Sequence, residues 1–243
     1  MTEGSPGQTS LLATMLTLRR FIGRQVRKLN GARVEAEPDQ QKEETLQLVW
    51  PPSRPMNPPA WTVPPAYSLR IYQAGDEQAY FALMERAGFP GWNLHEFGLW
   101  LQKALPAGLF MAFDRASGQM AATAMACHNP TPLHPYGGSV SCVATDPDHR
   151  GRGLGFAVAA AATCRLIEAG YQEIYMLTHD WRLAAIKIYL RMGWQPHMFR
   201  DDMPDRWKAV CESLHWPYTP DRWASNRPSG LVGSPTEAPC ESH

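Results

Sequence analysis

Hydrophobic and polar positions alternate in two different rhythms along this chain, and the change of rhythm divides it. Leu11, Met15, Leu18, Ile22, Val26 and Leu29 recur at steps of three and four, the spacing of one helical face, with Arg19, Arg20, Arg24, Arg27 and Lys28 around the rest. Such a basic amphipathic helix suits an anionic membrane surface or a protein partner, so residues 11–29 are read as a contact of that kind or as a cap on the chain's own apolar surface. An acidic stretch follows from Glu35 to Glu44. The run PPSRPMNPPAWTVPP then carries seven prolines in fifteen residues, the composition of a stiff linker. Residues 1–65 are therefore read as an N-terminal extension.

From Tyr67 the rhythm becomes that of a folded domain. YSLRIY alternates as a strand. Asp76 and Asn93 stand where N-caps belong, opening helices that reach Ala87, before Gly88, and Lys103. GLFMAFD and MAATAMACH, joined by RASGQ, read as an antiparallel pair, and SVSCVAT, free of charge, reads as a central strand. An alanine-rich helix, the strand EIYMLTH, a helix from about Trp181 to Met192 and a last helix bearing Trp207, Val210, Cys211 and Leu214 complete the pattern. Strands interleaved with helices in this order predict an α/β sandwich on a mixed sheet over residues 66–215, with a polar, disordered tail over 216–243.

Composition narrows the functions. The 23 Lys+Arg residues balance 23 Asp+Glu, which gives no reason to expect a nucleic-acid partner. The five cysteines (127, 142, 164, 211 and 240) form no CxxC pair, three lie in apolar runs, and buried thiols in a reducing compartment follow. No stretch of 18 apolar residues occurs, and the arginines follow rather than precede the first apolar segment, so a cytoplasmic protein is expected.

The chemistry concentrates in DPDHRGRGLGFAVAAAA, where Gly151, Gly153 and Gly155 alternate with Arg150 and Arg152 ahead of the alanine helix. Backbone amides at a helix N-terminus, opened by glycine and flanked by guanidinium groups, suit a pyrophosphate. A P-loop is excluded because no lysine lies between Lys103 and Lys187. A dinucleotide fingerprint fits poorly: the glycines start six residues past the strand and residue 156 is Phe, although Asp180 could mimic its ribose-binding acid. A plain surface turn leaves three glycines at a strand–turn–helix junction without a purpose.

RGRGLG resembles the R-x-x-G-x-G coenzyme A turn of the GNAT N-acetyltransferase superfamily, and RLAAIKIYLRMGWQP is similar to its next motif through Ala185, Tyr189, Gly193 and Trp194. Arg182 stands where the family commonly has Asn. The resemblance covers about residues 67–196 and implies a three-layer sandwich with a mixed, mostly antiparallel central sheet flanked by helices. It also implies an acyl-CoA-dependent N-acyltransferase: acetyl-CoA as co-substrate, no metal, and direct transfer to a small-molecule or peptide amine. The pantetheine arm would lie along Cys142, Val143, Ala144 and Thr145, with Val143 and Thr145 making backbone contacts and the Val143 amide facing the developing oxyanion. The pyrophosphate would rest on the amides of Arg150, Gly151, Arg152, Gly153, Leu154 and Gly155. Tyr189 would protonate or hydrogen-bond the leaving thiolate, and Arg182 would reach the pantetheine or a phosphate. Cys142 is read as core, since an uncharged strand offers nothing to activate a thiol.

The general base stays open among His128, His95, Glu96, water or none. Phe89, Trp92, Trp100, His197 and Phe199 would wall the acceptor pocket, with Asp201 and Asp202 attracting a positive amine. A homodimer is open, since many relatives pair. The alternative to an enzyme is a cofactor-binding sensor of the same fold with little turnover.

Overall fold

A computed structural model describes residues 45–51 and 59–223. The basic pattern at 11–29, the acidic stretch and residues 224–243 lie outside the described residues. The strands are β1 (Leu46–Val49), β2 (Tyr67–Ile71), β3 (Ala104–Asp114), β4 (Met120–His128), β5 (Gly138–Thr145), β6 (Ile174–Thr178) and β7 (Gln195–Pro196). The helices are α1 (Glu77–Arg86), α2 (Leu94–Lys103), α3 (Leu154–Glu168), α4 (Leu183–Met192) and α5 (Met203–Leu214). The strands form one sheet in the order β2-β3-β4-β5-β6-β1-β7, antiparallel throughout except for the parallel pair β5–β6. Among the described residues no helix is long and apolar enough to cross a membrane.

The period-two alternation of β4 divides the core into two layers. Ala122, Ala124 and Ala126 face α3, α4 and α5, whereas Met125 and Cys127 face α1 and α2. On the first face alanine meets alanine: Ala159, Ala160 and Ala162 of α3 join Ala122 and Ala124 in one buried cluster. Where these alanines meet, no side chain extends beyond a methyl, which lets helix and sheet approach closely. The second face is built from larger groups, with the Tyr80 ring edge-on to Phe97 and Trp92 at centroid distances of 4.9 and 5.1 Å.

Two boundaries differ from those expected. The sheet reaches back into the segment assigned to the extension, because Leu46–Val49 is a fully buried strand between β6 and β7. Leu46 and Leu48 enter the α3-side core with no exposure, and Gln47 is buried on the opposite face. Four residues between acidic and proline-rich runs gain this place by covering the edge of β6, which would otherwise leave backbone donors and acceptors unpaired. At the other end, residues 216–223 are not part of a loose tail. The Tyr218 hydroxyl donates to the Pro204 carbonyl at 3.1 Å, and Trp223 packs edge-on against Tyr218 and Trp207.

Asn93 caps α2 as its residue type implies, accepting from the His95 and Glu96 amides at 2.9 and 3.1 Å. Asp76 starts α1 without capping it through its side chain. Its carboxylate instead accepts both Arg70 terminal nitrogens at 2.6 and 2.7 Å, tying β2 to the helix.

Candidate active site

The one parallel pairing of the sheet is also its shortest long-strand contact. β5 and β6 are in register only at Gly138↔Ile174 and Ser139↔Tyr175. Beyond Ser139 the two strands are no longer paired, so among the described residues the β6-facing edge of β5 runs without a strand partner to Thr145. An unpaired central-strand edge is a ready-made seat for an extended chain carrying amide donors and acceptors.

A bulge bends β5 beside this opening. Between Thr123 and Met125 of β4, β5 inserts an extra residue, and Cys142 adopts φ 53°. A non-glycine residue in this left-handed region is strained by about 1–2 kcal/mol, and bulges of this kind re-aim backbone groups near functional sites. Burial pushes the Cys142 thiol well up, with the neighbouring Cys127 adding to the effect, so it remains a neutral thiol beside Tyr80.

The glycine turn follows the end of β5 and is fixed at its root. Asp146 is fully buried and accepts from Arg86 Nε at 2.6 Å, Gln119 Nε2 at 3.0 Å and the Asp148 amide at 3.0 Å. Burial alone would raise its carboxyl, but the Arg86 and Asp148 donors outweigh burial and hold it below the usual range. The Tyr67 hydroxyl accepts from Arg152 at 2.8 Å and shares a 2.8 Å bond with His149 Nδ1, tethering the turn to β2. Gly151 and Gly153 have φ of 75° and 82°, with nothing within 4 Å of where a Cβ would stand. Their identity answers to backbone conformation and to the open space above them. Gly153 is the N-cap of α3, so the amides of the first turn have no partner inside the helix and point toward that space. Gly155 closes the corner, its Cβ position lying 3.2 Å from Thr145 Oγ1 and 3.7 Å from Ile188 Cδ1 of α4.

The model of the acetyltransferase (GNAT) family matches residues 76–194, the span that holds the diverging strands, the glycine turn and α4. Residues 76–194 are a GNAT-family domain. The mycothiol acetyltransferase of Thermobispora bispora is 29% identical over 164 residues, covering 60% of this chain and 53% of that protein. The enzyme of the same name from Nocardia farcinica is 30% identical over 152 residues, covering 57% and 48%. The chain thus spans about half the length of the curated relatives it matches. A Drosophila protein of solved structure shares the fold at TM-score 0.50 and 14% identity, over 63% of this chain and 47% of that one. The matched GNAT span omits both β1 and β2.

Within this GNAT domain, α4 follows β6, approaches the glycine turn through Ile188, and carries Tyr189 on its length and Arg182 at its N-cap. Tyr189 is 6% exposed, and burial pushes its phenol up to about 12 against the opposing pull of the Arg182 charge. It is a neutral hydrogen-bond donor across the physiological range. The guanidinium carbon of Arg182 lies 4.4 Å from the Phe89 ring centroid and 4.4 Å from that of Trp181. Its Nε is buried without a hydrogen-bond partner.

The other residues singled out in the sequence are dispersed. His128 shares a 2.9 Å bond with the Tyr171 hydroxyl. His95 and Glu96 sit on the first turn of α2, with their amides engaged by Asn93. Asp202 is paired with Arg200 at 2.9 Å and with Arg206 at 3.3 Å, so its charge is already answered within the fold. His197 is 1% exposed and bonds through Nδ1 to Gln47 Oε1, which also takes a 3.1 Å bond from His134 Nε2. A carbonyl oxygen only accepts, so both rings donate to Gln47. Burial, reinforced by His134, lowers the His197 imidazole to about 4.

Sequence reasoning missed this Gln47–His134–His197 corner because β1 itself was missed. It also missed the Asp146 clamp, whose one local signal is an aspartate directly after a strand and before a proline.

Proposed function

We propose that the protein transfers an acetyl group from acetyl-CoA directly to the amine of a small molecule or peptide. The observation that carries this reading is the wedge between β5 and β6, bordered by the first turn of α3 on one side and by α4 on the other. The residues fit the co-substrate: an extended pantetheine with two amides matches the unpaired edge of Cys142–Thr145, and a pyrophosphate matches the open amides and guanidinium groups of Arg150–Gly155. The family membership and the names of the relatives support acetyl transfer as the chemistry.

The acceptor nitrogen attacks the thioester carbon, and the carbonyl oxygen gathers charge against a β5 amide, for which Val143 beside the bulge is our assignment. As the C–S bond breaks, sulfur takes the electron pair. The Tyr189 phenol donates to that sulfur, and the surplus amine proton leaves to water. No enzyme-bound acyl group is required, and the raised Cys142 thiol argues against one.

Thermal unfolding with acetyl-CoA, CoA, NAD and ATP tests the reading. A ligand at 100 times its dissociation constant adds about 2.7 kcal/mol. Stabilisation by acetyl-CoA and CoA alone is expected; none with acetyl-CoA, or more with NAD, would end the proposal. Tyr189→Phe should lower kcat at least about tenfold while leaving the CoA-induced shift within experimental scatter. An unchanged kcat removes Tyr189 from the mechanism.

A further inference from the structure

Arg182 breaks three local rules at once. It stands at the N-cap of α4, where a positive charge opposes the helix dipole. It is partly desolvated, and burial lowers its guanidinium from the usual arginine range. Among the described residues it meets no carboxylate, and its Nε has no partner at all. The acid nearest in sequence, Asp180, is held instead by Arg206, whose Nε donates to it at 3.0 Å.

The geometry shows what the group is shaped for. The guanidinium carbon lies 4.4 Å from the centroids of both the Phe89 and the Trp181 rings, and aromatic faces beside a guanidinium offer it no hydrogen-bond acceptor in its own plane. Phe89 belongs to the turn between α1 and α2 and packs on the α1/α2 core. The glycine turn leads into α3, on the opposite layer. Contact with Phe89 thus puts the guanidinium beside the α1–α2 turn, on the layer opposite α3. Trp181 is 72% exposed, which keeps the approach open to solvent.

We infer that Arg182, beside Phe89 and Trp181, binds an anionic group, a carboxylate or phosphate on an apolar body, carried by the acceptor. This rests on the acetyltransferase reading and replaces the cationic attraction expected from Asp201 and Asp202. Occupancy would supply the acceptors that the fold withholds, giving a half-buried guanidinium with no carboxylate beside it a charged partner.

The test uses phenylacetate, with neutral phenylacetamide as its matched control, in thermal unfolding of the full chain saturated with CoA. Phenylacetate should raise the wild-type midpoint by a few degrees, at about 2–4 °C per kcal/mol of binding for a chain of this size, and phenylacetamide should not. Arg182→Gln should abolish the phenylacetate gain while keeping the CoA gain, and Arg182→Lys should retain part of it. No phenylacetate gain in the wild type, or one that survives Arg182→Gln, overturns the proposal. So does loss of the CoA gain in Arg182→Gln, which would make the guanidinium a cofactor ligand. Failure of acetyl-CoA itself to stabilise the wild type would instead strike the transferase reading.

Discussion

The two ends of the β5–β6 pair are built by opposite rules. At the closed end, Gly138 and Gly137 leave no room for a side chain: a Cβ on Gly138 would stand 2.6 Å from Leu166 Cδ2, and one on Gly137 would stand 2.6 Å from His134 Cβ. Tyr175 is cross-linked there, its hydroxyl donating to the Asn129 carbonyl at 2.6 Å and accepting from Asn129 Nδ2 at 2.8 Å, with His134 stacked on its ring. At the open end, Gly151 and Gly153 look onto empty space, and the strands no longer touch. Tight packing at one end acts as the hinge pin that keeps the other end apart. The same residue type serves closeness in one place and accessibility in the other.

Substitutions that invade the closed end should have the largest effect. Gly138→Val is expected to cost about 3 kcal/mol by overpacking against Leu166 and Tyr171, and to abolish CoA-induced stabilisation because the strand angle is lost. Denaturant unfolding with and without CoA measures both. A stable variant that still binds CoA would mean the closed end does not set the wedge.

Acid should act on the same end next. His197 is depressed from 6.5 to about 4, so its contribution is complete above pH 6.5 and is lost as pH falls toward 4. At 1.36 kcal/mol per unit this amounts to about 3 kcal/mol at most, shared with the coupled His134. Unfolding midpoints across that window should fall in the wild type and flatten in His197→Gln, while a parallel decline in both would exclude the corner as its source.

Changes at the open end should spare the fold and strike binding. Gly153→Ala imposes about 1 kcal/mol of backbone strain at φ 82° and should weaken CoA at least about tenfold by crowding the amides. Arg150→Ala is the mildest. The side chain is exposed, so stability should hold within about 0.5 kcal/mol, and CoA affinity should fall several-fold at low salt, less at high salt. A stability loss comparable to that of Gly138→Val in either variant would erase the contrast between the ends.

What was legible in the sequence was what is local. The strand, glycine turn and alanine helix from Gly138 to Glu168 are consecutive, and their glycines, caps and small residues each answer to near neighbours. Tyr189 and Arg182 were singled out through the resemblance of their segment to a family motif, which is equally local in sequence. The rest depends on groups distant in sequence. Nothing in the residue Cys142 announces a left-handed backbone; the bulge arises from its register with β4. The Phe89 ring beside Arg182 comes from a turn more than ninety residues earlier, and only the folded chain shows that Asp202 and Asp180 are already occupied by arginines. β1 was missed because LQLV is too short to establish a period and its partners lie beyond the whole α1–β6 region.

That inner strand also sets an order of events. Leu46–Val49 can dock only once β6 is there to receive it, and β7, whose one partner among the described strands is β1, can join the sheet only after that. Closing so long a loop costs chain entropy that β1 recovers only on docking. A fragment cut at the family boundary of residues 76–194 would keep the glycine turn and Tyr189 yet leave β6 with a bare, apolar edge. That span also lacks β2, β7 and α5, so restoring residues 45–51 would cover the edge of β6 yet leave the sheet and its α5 layer incomplete.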